Sequence, residues 1–451
     1  MRFSLLFKCL VIGLLILAIM IPLSMIEGTI SQRQSYRQQA VLSIEQSYAG
    51  AQTIAGPILV IPYRVEVPST TTDNNGVPHA TTMTDDRQWL FFPKTLRLDG
   101  SVSPSDRYRG IHKVLVYELD AKMHARFSID LPSQVTDGRV VEVGKPTIGF
   151  GIDDVRGLSE SPLMQVNGQA VTLLQGAGVK TFKGGLHGVL PSIEAGQSRT
   201  LDVELDLHLG GTEQIAIAPV ADDNRFTLKS TWPSPEFGGR FLPRTRSVSD
   251  KGFDATWSIP SLAANTQSVY ADAMVGKNGD ADLIQVSLIE PVNVYSMADR
   301  ASKYGVLFVL LTFVGFFMFE LIKQLRIHPI QYLLVGLAIA IFFLLLIGMS
   351  EHYPFAWSYL GASAACIGLQ GFYLSYVLRS KARGIGFATM LTALYATLYG
   401  LLNSEDNALV LGSLMLFAIL AAIMVVTRKI DWYGLSQQPE AQADVVAEVE
   451  T

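Results

Sequence analysis

Cysteine is nearly absent. The 451 residues contain two, Cys9 and Cys366, and both lie inside apolar runs. The long polar middle of the chain has none, so a hydrophobic core rather than a disulfide framework must hold it. Charge is scarce as well: 17% of residues are charged and 49% are hydrophobic, whereas roughly a quarter charged is usual for soluble domains. The net charge is −5 and no basic face is clustered, which excludes the ordinary signature of nucleic-acid binding. The seven histidines are scattered, with no His-x-His, H-E-x-x-H or cysteine pair that would direct zinc. No G-x-S-x-G elbow is present, and "GAGVKT" lacks the Gly-Lys-Ser/Thr ending of a phosphate loop. No cofactor is therefore expected.

Long apolar runs, in contrast, are abundant and confined to the two ends. Leu10–Ile26 follows Arg2 and Lys8, as in a signal peptide, but no small-residue cleavage site succeeds it. It leads instead into "SMIEGTISQRQSYRQQAVLSIEQSY", where Ile26, Ile30, Val41, Ile44 and Tyr48 fall mostly at helical spacing. We read an uncleaved anchor, residues 1–26, continuing as an amphipathic helix, residues 27–49. Five further runs, Tyr304–Ile322, Ile330–Met349, Phe355–Leu378, Ile385–Leu402 and Ala408–Thr427, approach the roughly 20 residues needed to cross hydrocarbon. They form a bundle over residues 301–430.

Six alternating spans sort the short connections by charge. Arg2, Lys8, Lys323, Arg326, Arg379, Lys381, Arg383, Arg428 and Lys429 fall on one side. The other side receives "SEHYP" and "NSEDN", without Lys or Arg. Cationic loops stay in the cytoplasm, so both termini are expected there. The segment 431–451 is acidic and reads as a disordered cytoplasmic tail.

Residues 50–300 would then be a large domain outside the cytoplasm. "GPILVIPYRVEV", "KVLVYELDAKMHARFSID", "RTLDVELDLHL" and "LIQVSLIEP" are rich in β-branched residues or alternate apolar with polar. Such runs, separated by Gly, Pro, Asn and Asp, predict an antiparallel sandwich-like β domain, with length enough for two lobes meeting near 153–168. Ser69–Asp86, "STTTDNNGVPHATTMTDD", reads as a long exposed hairpin loop.

Polar residues at the span ends carry what chemistry the sequence offers. Ser350-Glu351-His352 is no triad, because neighbouring side chains do not converge in triad geometry. It reads as the polar end of a span, with Pro354 breaking the helix. The loop 403–407 lies on the same face and supplies Glu405 and Asp406. Together Glu351, His352, Glu405 and Asp406 make a candidate outer cluster that would sense pH, bind a divalent cation or clamp a cation of the β domain. We favour the clamp, with Arg300 or Lys303 as partner. At the cytoplasmic end Glu320 lies within a span, three residues before Lys323, a spacing that suits an interfacial ion pair. Gly361, Ala365, Gly368 and Gly371 suit a helix-packing face.

Several of these stretches carry a resemblance. "GPILVIPY", "LKSTWPSPEFGGRFLP", "GFDATW", "EPVNVYSMADRASKYGVLFVLLTF", "FELIKQLRIHPIQYLLVGLAIAIFFLLLIGMSEH", "LYGLLNSEDNALVLGSLMLF" and "TRKIDWY" resemble, in order, the CreD-type inner-membrane proteins of Gram-negative bacteria. The resemblance implies an inner-membrane location and a role in envelope integrity and stress tolerance, and it implies no reaction. We expect a non-enzymatic protein whose partners are the bilayer and an envelope component. The alternatives are a transporter or channel, opposed by the few polar residues at mid-depth of the spans, and a membrane-embedded hydrolase using the outer carboxylates, opposed by the missing nucleophile.

Overall fold

The computed structural model describes residues 5–72, 78–179, 182, 184–277, 279–290, 294–323, 327–403 and 408–428. Two compact units emerge: one combines residues 1–35 with 292–451, and the other is residues 36–291. The described helices are α1 (Leu5–Ser47), α2 (Thr266–Met274), α3 (Val294–Lys303), α4 (Gly305–Lys323), α5 (Pro329–Ser350), α6 (Phe355–Val377), α7 (Lys381–Asn403) and α8 (Ala408–Thr427).

The first unit is helical. Within the described residues, α1, α5, α6 and α7 are long and apolar enough to cross a bilayer. Helices α3 and α4, bent by 44° at the break between them, make a fifth crossing if taken as one span, and α8 contains a shorter apolar stretch, Val410–Val425. The anchor and the amphipathic segment read separately in the sequence are one helix. Its 43 residues extend about 65 Å at 1.5 Å per residue, twice the roughly 30 Å of hydrocarbon.

Two apolar faces run along the first part of α1. Ile19, Leu23, Ile26 and Ile30 are buried in the core of the helical unit. Leu10, Leu14, Leu17, Ile21 and Met25, on the opposite face, are 61–69% exposed. A stripe of that size left open on a folded unit is the mark of a surface that meets lipid. Of the expected small-residue packing face, Gly361 and Gly371 pack: Cβ atoms built there lie 2.8 Å from Met349 Cε on α5 and 3.1 Å from Ala388 Cβ on α7. Ala365 and Gly368 point outward instead.

The second unit is built on two sheets. One has ten strands, with the main path Leu173–Gln175, Gly185–Val189, Thr147–Ile152, Gln52–Thr72, Gln214–Ile217, Ile284–Leu288, Pro235–Gly239. The other has eight, in the order Thr245–Ser249, Gly252–Pro260, Asp223–Ser230, Thr95–Arg109, His112–Asp130, Ser198–Thr212, Leu163–Val166, Gln169–Val171. Each sheet takes strands from both sides of residues 153–168. Pairing is antiparallel except for Gln52–Thr72 with Gln214–Ile217 and Asp223–Ser230 with Thr95–Arg109.

Alternation in the sequence becomes alternation in burial. In His112–Asp130 the residues from Leu119 onward alternate buried and exposed without a break. Phe127, Phe226 and Trp257 thereby enter one core shared by both sheets, to which the strand Thr147–Ile152, buried without alternation from Ile148 onward, adds Phe150. Each such side chain contributes about 1.5–3 kcal/mol relative to remaining in water.

The stretch read as a loop from Ser69 to Asp86 is largely ladder. Register runs from Leu59↔Phe91 to Thr72↔Pro78, including Ser69↔Thr81. Threonines Thr70, Thr71, Thr72, Thr81 and Thr82 supply β-branched residues that favour a pleated strand even when both faces are polar. Residues 73–77 at the tip lie outside the described residues.

Candidate functional site

At one end of the helical unit, Glu320 on α4 is 4% exposed and well partnered. Lys8 of α1 donates to Oε1, the Tyr332 hydroxyl of α5 donates to Oε2 at 2.9 Å, and the Ile327 N–H reaches Oε1 at 3.4 Å. Three separate segments thus meet on one carboxylate. The sequence supplied Lys323 as partner; its side chain lies outside the described residues, and the cation on Glu320 is Lys8. Next to this site, His328 Nδ1 accepts from the Ile330 N–H while Gln331 accepts from the His328 N–H, a reciprocal cap that starts α5 at Pro329.

At the other end, α5 stops at Ser350, whose Oγ is spent on the Leu346 carbonyl at 2.6 Å. Glu351 is the C-cap, His352 is exposed, and Pro354 precedes α6. Arg33 Nε of α1 sits 3.2 Å from Glu351 Oε1. Its N–H does not point at that oxygen, which is buried without a hydrogen bond. The charges attract, but the geometry is incomplete. On Glu351 the nearby cation is thus Arg33, which the sequence argument did not name, and Lys303 pairs with Asp299 at 2.8 Å. Glu405 and Asp406 lie outside the described residues.

Sequence reasoning missed both α1 cations. The signal was there: Lys8 and Arg33 flank the first span on the sides where Glu320 and Glu351 were expected. What was lacking was the order of helices around the unit. Lys8 and Arg33 are separated by about 37 Å of helix at 1.5 Å per residue.

The β unit carries a groove of about 300 Å³ lined by Pro62, Arg64, Asp86, Gln88, Glu142 and their neighbours. Register explains it. Arg64 lies on the strand between two others and is paired across to Asp86 on one side and Glu142 on the other. Its Nε meets Asp86 Oδ1 at 3.0 Å and its Nη1 meets Glu142 Oε2 at 2.6 Å. One residue away in the ladder, Arg87 holds Asp137 with two parallel bonds, 2.8 and 2.7 Å, and Asp85 with a third of 2.9 Å. Hydrogen bonding to Arg87 holds the Asp137 carboxyl below its usual range, and that to Asp137 and Asp85 pushes the Arg87 guanidinium further up. These charges are thus fixed near neutral pH, whereas a general acid or base works best with a pKa close to the operating pH. Tyr63, paired with Arg87 in the ladder, stacks on Trp89 with ring centroids 3.8 Å apart on the face opposite the Arg64 row.

A third ionic site anchors the end of α1. Arg156 donates to the carbonyls of Gln46 at 2.5 Å and Glu45 at 3.1 Å while gripping Asp154 at 2.6 Å. Cations at a helix C-terminus satisfy its orphan carbonyls and complement its dipole. Gln52, 1% exposed, completes the joint by donating to the carbonyls of Asp154 and Gly210, both at 2.9 Å.

An apolar helical unit with ionic pairs at both ends, carrying a large two-sheet unit in its sequence, defines a multi-pass membrane protein with a substantial β-rich domain. The chain belongs to the CreD family: residues 4–433 match inner membrane protein CreD. It is 34% identical over 427 residues to inner membrane protein CreD of Escherichia coli (strain K12), covering 93% of this chain and 92% of that one. Among solved structures, an M1 zinc metallopeptidase from Deinococcus radiodurans aligns with 44% of this chain and 42% of its own length, at 13% identity and a TM-score of 0.18. That likeness is too slight to carry an argument.

Proposed function

We propose that this protein serves envelope integrity without catalysing a reaction, through a periplasmic β unit that binds or buttresses an envelope component at the Arg64 groove. Six spans, formed by α1, the α3–α4 pair, α5, α6, α7 and α8, leave both termini in the cytoplasm. Two features support this threading. Lys and Arg segregate across the short connections. Along α1, the Lys8–Glu320 and Arg33–Glu351 pairs are spaced about 37 Å apart, enough to bracket a hydrocarbon layer of roughly 30 Å. The outer pair then clamps the first span to the third at the membrane surface.

The single observation that carries the binding reading is the row Asp86–Arg64–Glu142 on one face of the sheet. It is an open, polar groove whose charges are already positioned, so a ligand need not order them. Two experiments test the reading. A phosphatase reporter fused after Val65 should be active only when exported. In a strain lacking the gene and challenged with an envelope-targeting agent, Arg64→Ala and Glu142→Ala chains, present at parental levels in the membrane, should fail to restore tolerance. Full rescue by both variants removes the groove from the function, and a cytoplasmic β unit removes the threading.

A further inference from the structure

Helix α6 turns a partly polar stripe toward the interior of the helical unit: Tyr359, Ser363, Cys366 and Gln370 are all buried there. Gln370 is 2% exposed, and neither its amide oxygen nor its amide nitrogen has a partner. Tyr395 of α7 is equally buried, and its hydroxyl also lacks a partner. Buried polar groups without partners are rare, and each costs about 1–3 kcal/mol unless water satisfies it. In a hydrocarbon surrounding no bulk water is at hand to relieve them.

These groups are ordered along the unit. Cys366 Sγ lies 3.6 Å from the Ala338 carbonyl, which fixes the relative height of α6 and α5. Gln370 is one turn along α6 from that point, and Tyr332 is six residues back along α5. Their heights thus differ by only about 3 Å at 1.5 Å per residue. Tyr332 in turn donates to Glu320. In the other direction, Gly371 packs on Ala388, which puts Tyr395 about 3 Å beyond Cys366 on the same scale. The Tyr359 hydroxyl then meets the Tyr395 carbonyl at 2.7 Å. Glu320, Tyr332, Gln370, Cys366, Tyr395 and Tyr359 therefore follow one another in height along the unit. The sequence hides this line, because its six members are spread over four helices.

We propose that this seam holds ordered water and relays protons through the helical unit. Two to four polar partners are what a buried water needs, and the unpartnered Gln370 amide and Tyr395 hydroxyl supply donors and acceptors for it. Glu320, ionised beside Lys8 at rest, takes a proton from the solution at its own end and passes it, directly or through the Tyr332 hydroxyl, to a water held by Gln370. That water passes a different proton to the next, held by Tyr395, and the last is released at the Tyr359 end. Each member gains one proton and gives one, so no charge remains at mid-depth. The inference stands apart from the groove in the β unit and survives the loss of that reading.

The test uses the purified full chain in phosphatidylethanolamine–phosphatidylglycerol vesicles with a trapped pH-sensitive dye. A potassium gradient with valinomycin supplies the driving force. Parental vesicles should change internal pH at least tenfold faster than protein-free ones. Gln370→Leu and Tyr395→Phe should each cut the protein-dependent rate tenfold or more, and Gln370→Asn should keep a measurable part of it. A parental rate equal to that of empty vesicles overturns the proposal without reference to any variant. So does an undiminished rate in Gln370→Leu that retains the parental circular dichroism spectrum.

Discussion

Glu320 offers the sharpest test of how the helical unit is held together. The substitution Glu320→Gln keeps the shape of the side chain, removes its charge and strands Lys8. Breaking a fully buried ion pair costs about 3–5 kcal/mol. Lys8 is 32% exposed, so water takes over part of its loss, and we expect about 2–3 kcal/mol. Tyr332→Phe removes one hydrogen bond to a charged acceptor, worth about 1.5–3 kcal/mol. The two changes act on the same carboxylate, so they should not add. In the double variant the Tyr332 hydroxyl has already lost its ionised acceptor, and the cycle should return a coupling of about 1 kcal/mol. Unfolding of the full chain in mixed micelles by increasing dodecyl sulfate, followed by circular dichroism, gives all four corners. Additivity to within about 0.3 kcal/mol, the usual behaviour of independent sites, would refute the reasoning that one carboxylate ties three segments.

Further outcomes follow from the β unit. Arg156→Ala should lower the urea midpoint through the lost carbonyl bonds and dipole interaction, and hydrogen exchange should quicken in the last turn of α1. Asp154 has its carboxyl held below the usual range, chiefly by Arg156. Its contribution is therefore present above the unfolded value of about 4 and disappears as pH falls through the lower folded value. Asp154→Asn should accordingly flatten the fall in urea midpoint between about pH 5 and pH 2, whereas an unchanged slope would remove Asp154 from the acid response. Gly185 has φ +139° and a Cβ built there would lie 1.9 Å from the Phe150 carbonyl oxygen. Gly185→Ala should therefore cost about 3 kcal/mol from strain and overpacking, read as a lower thermal midpoint.

The sequence by itself determined where the chain is apolar enough for lipid and where it must form sheet. Both are local properties: a run of apolar residues such as Ile330–Met349, or strict alternation such as Arg199–Leu209, specifies its own environment at short range. It also determined that Glu320 and Glu351 sit near opposite ends of apolar helices. Tertiary structure alone decided what meets them. Lys8 and Arg33 are more than three hundred residues from Glu320 and Glu351, and no spacing rule links positions brought together by the order of helices around a bundle. The same holds for the Asp86–Arg64–Glu142 row, which exists because one strand is flanked by two particular neighbours in one register. It holds again for the seam through Gln370 and Tyr395: single polar residues on separate apolar helices look incidental until packing lines them up.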